Sequence, residues 1–204
     1  VGDFGFILGI GLILAYTGSI DYDTVFRSGS ALANEQFVVF SGHPWSLLTV
    51  ICILLFVGAM GKSAQVPLHV WLPESMEGPT PISALIHAAT MVTAGVFLVA
   101  RCSPLFEVAP LARDIVTIVG ASTALFAATI AMTQNDIKRV IAYSTMSQLG
   151  YMFAGLAVLT SVGGAAHVFT HAFFKAMLFL ACGAVMHGFA GQLDLRKLSG
   201  VGSM

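Results

Sequence analysis

The sequence predicts an all-α membrane protein, a polytopic helical bundle of about six transmembrane helices with one of them broken. Three observations carry that prediction. Hydrophobic residues make up 57% of the 204 residues and charged ones only 9%, whereas a soluble domain carries about 25% charged residues. The apolar residues fall in runs that meet or approach the ~20 needed to cross a ~30 Å hydrocarbon core. One of those runs leads into Pro67 and Pro73, which interrupt a helix while the chain is still apolar.

Taken in order, the first span runs from about Phe4 to Ile20. A polar loop follows from Asp21 to His43, carrying Asp21, Asp23, Arg27 and Glu35. The second span begins near Trp45, is apolar through Met60, and then meets GKSAQVP. Proline lacks a backbone donor and clashes with the preceding turn, so a helix through Val66-Pro67 is expected to break there. At membrane depth such a break is tolerated only inside protein or beside a wet cavity, and broken helices with polar groups mark ion-translocating folds. The third span is ISALIHAATMVTAGVFLVA, residues 82–100. The fourth extends from about Leu111 to Thr133, the fifth from about Val140 to Leu159, and the sixth from about Gly164 to Phe189.

Alternating spans place Arg27, Arg101 and Arg113 on one side of the membrane and Lys138, Arg139, Arg196 and Lys197 on the other. The excess leans the Lys138 side towards the cytoplasm. A net charge of −1 leaves no basic patch, so nucleic acid is not an expected partner. Cys52, Cys102 and Cys182 lie far apart without a CxxC pair and read as small core residues. No basic region precedes a short apolar run at the start, so no cleavable signal pattern is present. Because it opens at Val1 and stops abruptly at Met204, the chain is expected to be a fragment of a longer polytopic protein. Neither a phosphate-binding glycine loop nor a nucleophile motif occurs, so no redox or nucleotide chemistry is expected in this segment.

The residues with chemical capacity sit in apolar surroundings. His167, His171 and Lys175 follow at four-residue steps. Each step rotates by only ~40°, so all three share one helix face. Placing an ionisable side chain near mid-bilayer costs ~2.5–3.5 kcal/mol, and such residues face a bundle interior or a water cavity. Burial works against the charged form of lysine and histidine alike. Groups poised in this way can load and release a proton as their surroundings change. The plainer alternative has Lys175 snorkelling to an interface and the histidines bonding helix carbonyls, but apolar residues flank Lys175 on both sides. A zinc site is not indicated, since the metalloprotease motif needs a glutamate where Val168 stands.

Other candidates are more open. Lys62 reads equally as a span-end anchor or a buried titrating group. His87, near the start of the third span, reads as a relay or as a ring bonded to a carbonyl. Ser83, Thr90 and Thr93 can bond waters or neighbouring helices. The YSTMSQLGY run, with Ser144 and Ser147, brings hydroxyls and an amide to the fifth span. Glu74 and Glu77, and the turn of Asp136, Lys138 and Arg139, read by default as solvated loops, the latter with capacity for coupling contacts.

The stretches GKSAQVPLHVWLPESMEGPTPISALIHAATMVTAGVFLVAR, DIKRVIAYSTMSQLGYM and HAFFKAMLFLACGAVMH resemble the antiporter-like membrane subunits of respiratory complex I. Likeness covers most of residues 45–190 and is strongest to the large distal member of that family. Subunits of multisubunit sodium/proton antiporters share the KSAQ, WLP and PTP framework. Thr93, where other antiporter-like subunits usually carry lysine, together with ALIHAAT favours complex I. The resemblance implies two inverted five-helix repeats, with residues 1–101 ending the first and 111–204 starting the second. It implies a proton pathway through Lys62, His87, His167, His171 and Lys175, with Thr90, Thr93, Ser144, Ser147 and Lys138 as auxiliary residues. The acidic partner of Lys62 is then expected upstream of Val1, and a second broken helix beyond Met204. No cofactor is expected in this chain; NADH, FMN, iron–sulfur clusters and quinone are expected in partner subunits. Expected partners are the other complex I membrane subunits, above all the neighbouring antiporter-like one, and the lipid of a bacterial or mitochondrial inner membrane.

Overall fold

The structure, a computed structural model, describes residues 1–40, 43–158 and 161–198. Among the described residues six passes are present, close to the expected bounds. The first is α1 (Gly2–Thr17), ended by Gly18 in the left-handed region at φ 68°. The second is α4 (Leu47–Lys62), continued after an interruption by the short α5 (Trp71–Glu74) and a 3-10 turn at Ser75–Glu77. The third comprises α6 (Thr80–Ala88) and α7 (Ala94–Arg101). After the short α8 (Ser103–Val108), the last three are α9 (Pro110–Thr133), α10 (Ile137–Val158) and α11 (Ser161–Gly188). Leu159, expected to close the fifth span, lies outside the described residues. Of the described helices, Pro110–Thr133 and Val162–Gly188 are by themselves long and apolar enough to span, while Gly2–Thr17 and Leu47–Lys62 are shorter apolar helices.

Three expectations are corrected. The 21–43 loop is not featureless: it holds α2 (Tyr22–Arg27), capped by Asp21, and α3 (Gly29–Asn34). Strands β1 (Gln36–Phe40) and β2 (His43–Ser46) then pair antiparallel, with Phe37 opposite Trp45. The second helix stops at Lys62, several residues before Val66-Pro67. The third span is not continuous either, because residues 89–93 leave the helix between α6 and α7. Among the described residues two helices of the bundle are therefore interrupted, where one was expected.

The two interruptions lie against each other and satisfy each other's backbone. Ser63 Oγ donates to Val92 O at 2.6 Å, joining the gap after α4 to the gap after α6. Trp71 Nε1 donates to Gly61 O at 3.0 Å, and the Val66 amide donates to Thr123 Oγ1 of α9 at 3.1 Å. Ser63, Ala64 and Gln65 are all fully buried. Non-helical backbone at this depth is stable only because protein groups replace the water it would otherwise need. In the second gap Thr93 Oγ1 bonds back to Ala89 O at 2.6 Å, so a threonine hydroxyl competes for carbonyls the helix has released.

Small residues set the helix packing, as expected where lipid gives no hydrophobic drive between helices. Helices α9 and α10 pack along their length, and a Cβ on Gly150 would lie 2.5 Å from Gly120 O. The α1–α4 contact is similarly close at Gly2 and Gly61. Between them Phe56 of α4 meets Phe153 of α10 edge-on at 5.5 Å. The surface is inverted relative to a soluble protein. Phe4, Ile7, Ile118, Leu125, Phe169, Phe173 and Met177 are exposed, while Gln65, His87, Lys138, Thr145, His171 and Lys175 are buried. A contiguous apolar exterior around a polar interior is what a lipid-facing bundle requires.

The ends also sort as the alternation of spans requires. Arg101, at the end of α7, lies 4.8 Å over the Tyr22 ring of α2, on the side of Arg27. At the other side Asp136 pairs with Asp194 in an isolated bridge, bringing Lys138 and Lys197 to one end.

Candidate functional site

The site lies where α6, α10 and α11 meet. Because α10 and α11 form an antiparallel hairpin, polar positions on one face of each come opposite one another. Lys175 Nζ donates to Ser144 Oγ at 2.7 Å and reaches Ile141 O at 3.5 Å. One end of the same seam has His167 Nε2 at 2.8 Å from Gln148 Oε1. Midway, His171 Nδ1 sits 3.0 Å from Ala88 O, a carbonyl at the end of α6. That carbonyl has no helical partner because α6 ends there. The broken third span thus creates the acceptor that holds His171.

His87 precedes that carbonyl in the chain. Its Nε2 lies 3.0 Å from Ser75 Oγ, and its ring stacks on Phe179 of α11 at 5.4 Å between centroids. Lys175 is close enough for its charge to act on both His87 and His171. All three side chains are fully buried. The nitrogens His87 Nδ1 and His171 Nε2 make no hydrogen bond within the described protein, nor do the buried hydroxyls of Thr80 and Ser83 on the same face of α6. Buried polar atoms rarely remain unpaired, and ordered water is their usual partner. Three buried titratable side chains, two of them histidines with an unpaired ring nitrogen, linked by electrostatics in a protein interior, can hold and exchange a proton.

The other expected residues fall around this centre. Lys138, expected in a solvated turn, is instead buried, and its Nζ donates to Gly78 O at 3.1 Å and Met76 O at 3.4 Å. It thereby ties the start of α10 to the turn that carries Ser75. Ser147 Oγ donates to Ala124 O at 2.9 Å and fastens α10 to α9. Thr93 stays within its own gap, and Thr90 is exposed, bonded to Leu85 O at 2.8 Å. Glu74 and Glu77 are exposed.

Lys62 stands apart from the centre. It is exposed at the end of α4, its Nζ 3.5 Å from Asp3 Oδ1. This exposed pair joins the end of α4 to the start of α1. The pair borders a cavity of about 530 Å³ shared with Pro67, Leu68 and Trp71. Sequence reasoning missed Asp3, Ser75 and Thr123. Asp3 is one acidic residue at the edge of an apolar run, and Ser75 sits in a loop that reads as solvated. Only the tertiary fold gives them partners.

A family model described as NADH:quinone oxidoreductase/Mrp antiporter, TM, matches residues 1–203. Among curated relatives, NADH-quinone oxidoreductase subunit L of Neisseria meningitidis serogroup A is 58% identical over 199 residues, covering 97% of this chain and 30% of the relative. NADH-ubiquinone oxidoreductase chain 5 of Marchantia polymorpha is 52% identical over 205 residues, covering 100% of this chain and 31% of the relative. The chain thus spans about three tenths of the length of the curated relatives it matches. Among solved structures, a chain of the Mrp complex from Dietzia sp. DQ12-45-1b superposes with TM-score 0.83 at 32% identity, over 98% of this chain and 21% of that one. The membrane-bound sulfane sulfur reductase, an archaeal respiratory membrane complex, gives TM-score 0.76 at 27% identity, over 96% of this chain and 39% of that one. The inverted surface, the paired helix interruptions and these matches agree, and the chain belongs to the NADH:quinone oxidoreductase/Mrp antiporter membrane family.

Proposed function

We propose that this chain is part of a proton-translocating subunit of an NADH–quinone oxidoreductase, coupling electron transfer from NADH to quinone with proton pumping. The observation that carries this reading is Lys175, fully buried and flanked by His171 and His87. A buried cation at membrane depth costs ~2.5–3.5 kcal/mol, a cost that a purely structural position would not need. In the proposed path Lys62 exchanges its proton under the influence of acidic neighbours. His87 passes it laterally through bound water, and His171 with Lys175 carries it onward, Ser144 holding the ammonium. His167, on Gln148, extends the same stripe. Protonation at one of these groups raises the cost of charging the next, which gives an electrostatic means of transmitting a stroke.

In this reading residues 1–101 end one inverted repeat and 111–204 begin the next. NADH, FMN, iron–sulfur clusters and quinone belong to partner subunits, so this chain contributes no redox centre. Its neighbours are other membrane subunits of a complex in a bacterial or mitochondrial inner membrane, above all an adjacent antiporter-like subunit. A second reading, a subunit of a multisubunit sodium/proton antiporter without redox coupling, is favoured by the Mrp superposition. Identities of 52–60% to complex I subunits, against 32% to the Mrp chain, support the first.

Deletion of the gene separates the two. Loss of NADH-driven proton uptake in inverted membrane vesicles supports the redox-coupled reading. Sodium sensitivity with unchanged NADH-driven uptake supports the antiporter.

A further inference from the structure

The hydrogen bonds around His87 determine which of its nitrogens is available. Ser75 Oγ lies 2.6 Å from Leu72 O and 3.0 Å from His87 Nε2. A hydroxyl has one hydrogen, and a carbonyl oxygen only accepts. The serine hydrogen therefore goes to Leu72 O, and Ser75 Oγ accepts from His87 Nε2–H. In the neutral ring Nδ1 is then a bare lone pair, and this is the buried nitrogen without a partner among the described residues. Phe179 stacks on the ring with 28° between planes. Lys138 clamps the 3-10 turn that carries Ser75 through Met76 O and Gly78 O. Ring plane, ring rotation and proton position are all fixed from outside the ring.

We propose that Ser75 is a positioning residue that locks His87 as its Nε2–H tautomer and makes it a one-sided proton station, loading and unloading through Nδ1 alone. This rests on the reading of His87 as part of the proton path and adds how it works. A histidine that conducts through its ring takes a proton on one nitrogen and releases another from the opposite one. His87 lacks that exit. Its Nε2–H points at a serine whose own hydrogen is committed to a carbonyl, and neither group passes a proton on. His171 is bound in the same manner with the nitrogens exchanged: Nδ1–H donates to Ala88 O, and Nε2 is bare. The two rings are anchored at consecutive residues, His87 and Ala88, one by a side chain and the other by a backbone carbonyl. Ser75 is the only one of these anchors that a point substitution removes without altering a histidine.

The test uses the intact, assembled complex containing the full-length subunit, reconstituted in sealed vesicles, with electron-transfer-driven proton uptake as the readout. Ser75→Ala is expected to slow uptake about fivefold, the factor carried by one hydrogen bond of ordinary net strength, and Ser75→Thr to restore it. In a His87→Ala background Ser75→Ala is expected to add no further loss. Nδ1-methylhistidine at position 87 blocks the loading nitrogen and, in the neutral ring, leaves Nε2 without its hydrogen, so the station and its bond to Ser75 are both lost; it is expected to be as impaired as His87→Ala. Wild-type uptake in Ser75→Ala, failure of Ser75→Thr to rescue, an equal further loss in the His87→Ala background, or normal uptake with Nδ1-methylhistidine each overturns the proposal. Normal uptake in His87→Ala itself overturns the proton-path reading beneath it. Impaired His87→Ala with normal Ser75→Ala removes the role of Ser75 alone.

Discussion

Replacing Gly150 by alanine tests the packing that holds the site. The added methyl would lie 2.5 Å from Gly120 O and 2.7 Å from the Ala124 amide nitrogen, both backbone atoms of α9. Ordinary contact begins near 3.4 Å, so the two helices must separate by about 0.9 Å at that point. Overpacking of this kind costs ~1–3 kcal/mol. The Ser147–Ala124 hydrogen bond, 2.9 Å and one turn away, is stretched beyond bonding length by the same movement. Its loss adds ~0.5–1.5 kcal/mol, for a total of about 1.5–4.5 kcal/mol. Gly155→Ala is the internal control: it is the same change on the same helix, and its methyl would meet nothing within 4 Å. There the better helix propensity of alanine is expected to stabilise by up to ~1 kcal/mol. The assay is unfolding of the full-length subunit in mixed micelles, followed by helical circular dichroism. Equal stability of the two variants would refute the argument that α9 and α10 are set by backbone approach at Gly120 and Gly150.

Two further outcomes follow from individual contacts. Thr123→Val keeps the side-chain shape but leaves the Val66 amide without its 3.1 Å acceptor. It is expected to destabilise by ~1–3 kcal/mol in the same unfolding assay. At the far end, Arg196 donates to Asp194 through its side chain and backbone and holds that carboxyl down, at about 2. A depressed value means that the stabilisation is complete above the ordinary carboxylate range and is lost as pH falls through about 2. The Asp194 carboxyl carbon is expected to titrate there by NMR, and Arg196→Ala to return it towards ordinary values.

Much of this architecture was legible because bilayer thickness fixes helix length. Runs such as Leu111–Thr133 need no tertiary information to be read as spans, and the structure gives Pro110–Thr133. Four-residue spacing likewise put His171 and Lys175 on one face, and both are buried. The interruption at 89–93 was hidden because ATMVT contains neither proline nor glycine. What supports it is remote: Ser63 and His171 take the carbonyls of Val92 and Ala88. The contacts of Lys138 were hidden for a related reason. A charged turn looks solvated until the carbonyls of Met76 and Gly78, distant in sequence, are seen to enclose it. Lys62 and Asp3 are far apart in sequence, and only the α1–α4 contact brings them together. Helix length and helix face are local properties, whereas the partners of polar groups are set by the fold.

The central claim is that Lys175 is kept for proton transfer and not for stability. Methionine at this position nearly preserves length and removes the charge. It relieves a burial cost of ~2.5–3.5 kcal/mol and gives up a charge-assisted bond of ~1.5–3 kcal/mol to Ser144, so assembly should persist. The deciding measurement is the number of protons taken up per NADH oxidised by the assembled complex carrying Lys175→Met in sealed vesicles. A lowered ratio with the complex intact is the result predicted; a wild-type ratio would contradict the account.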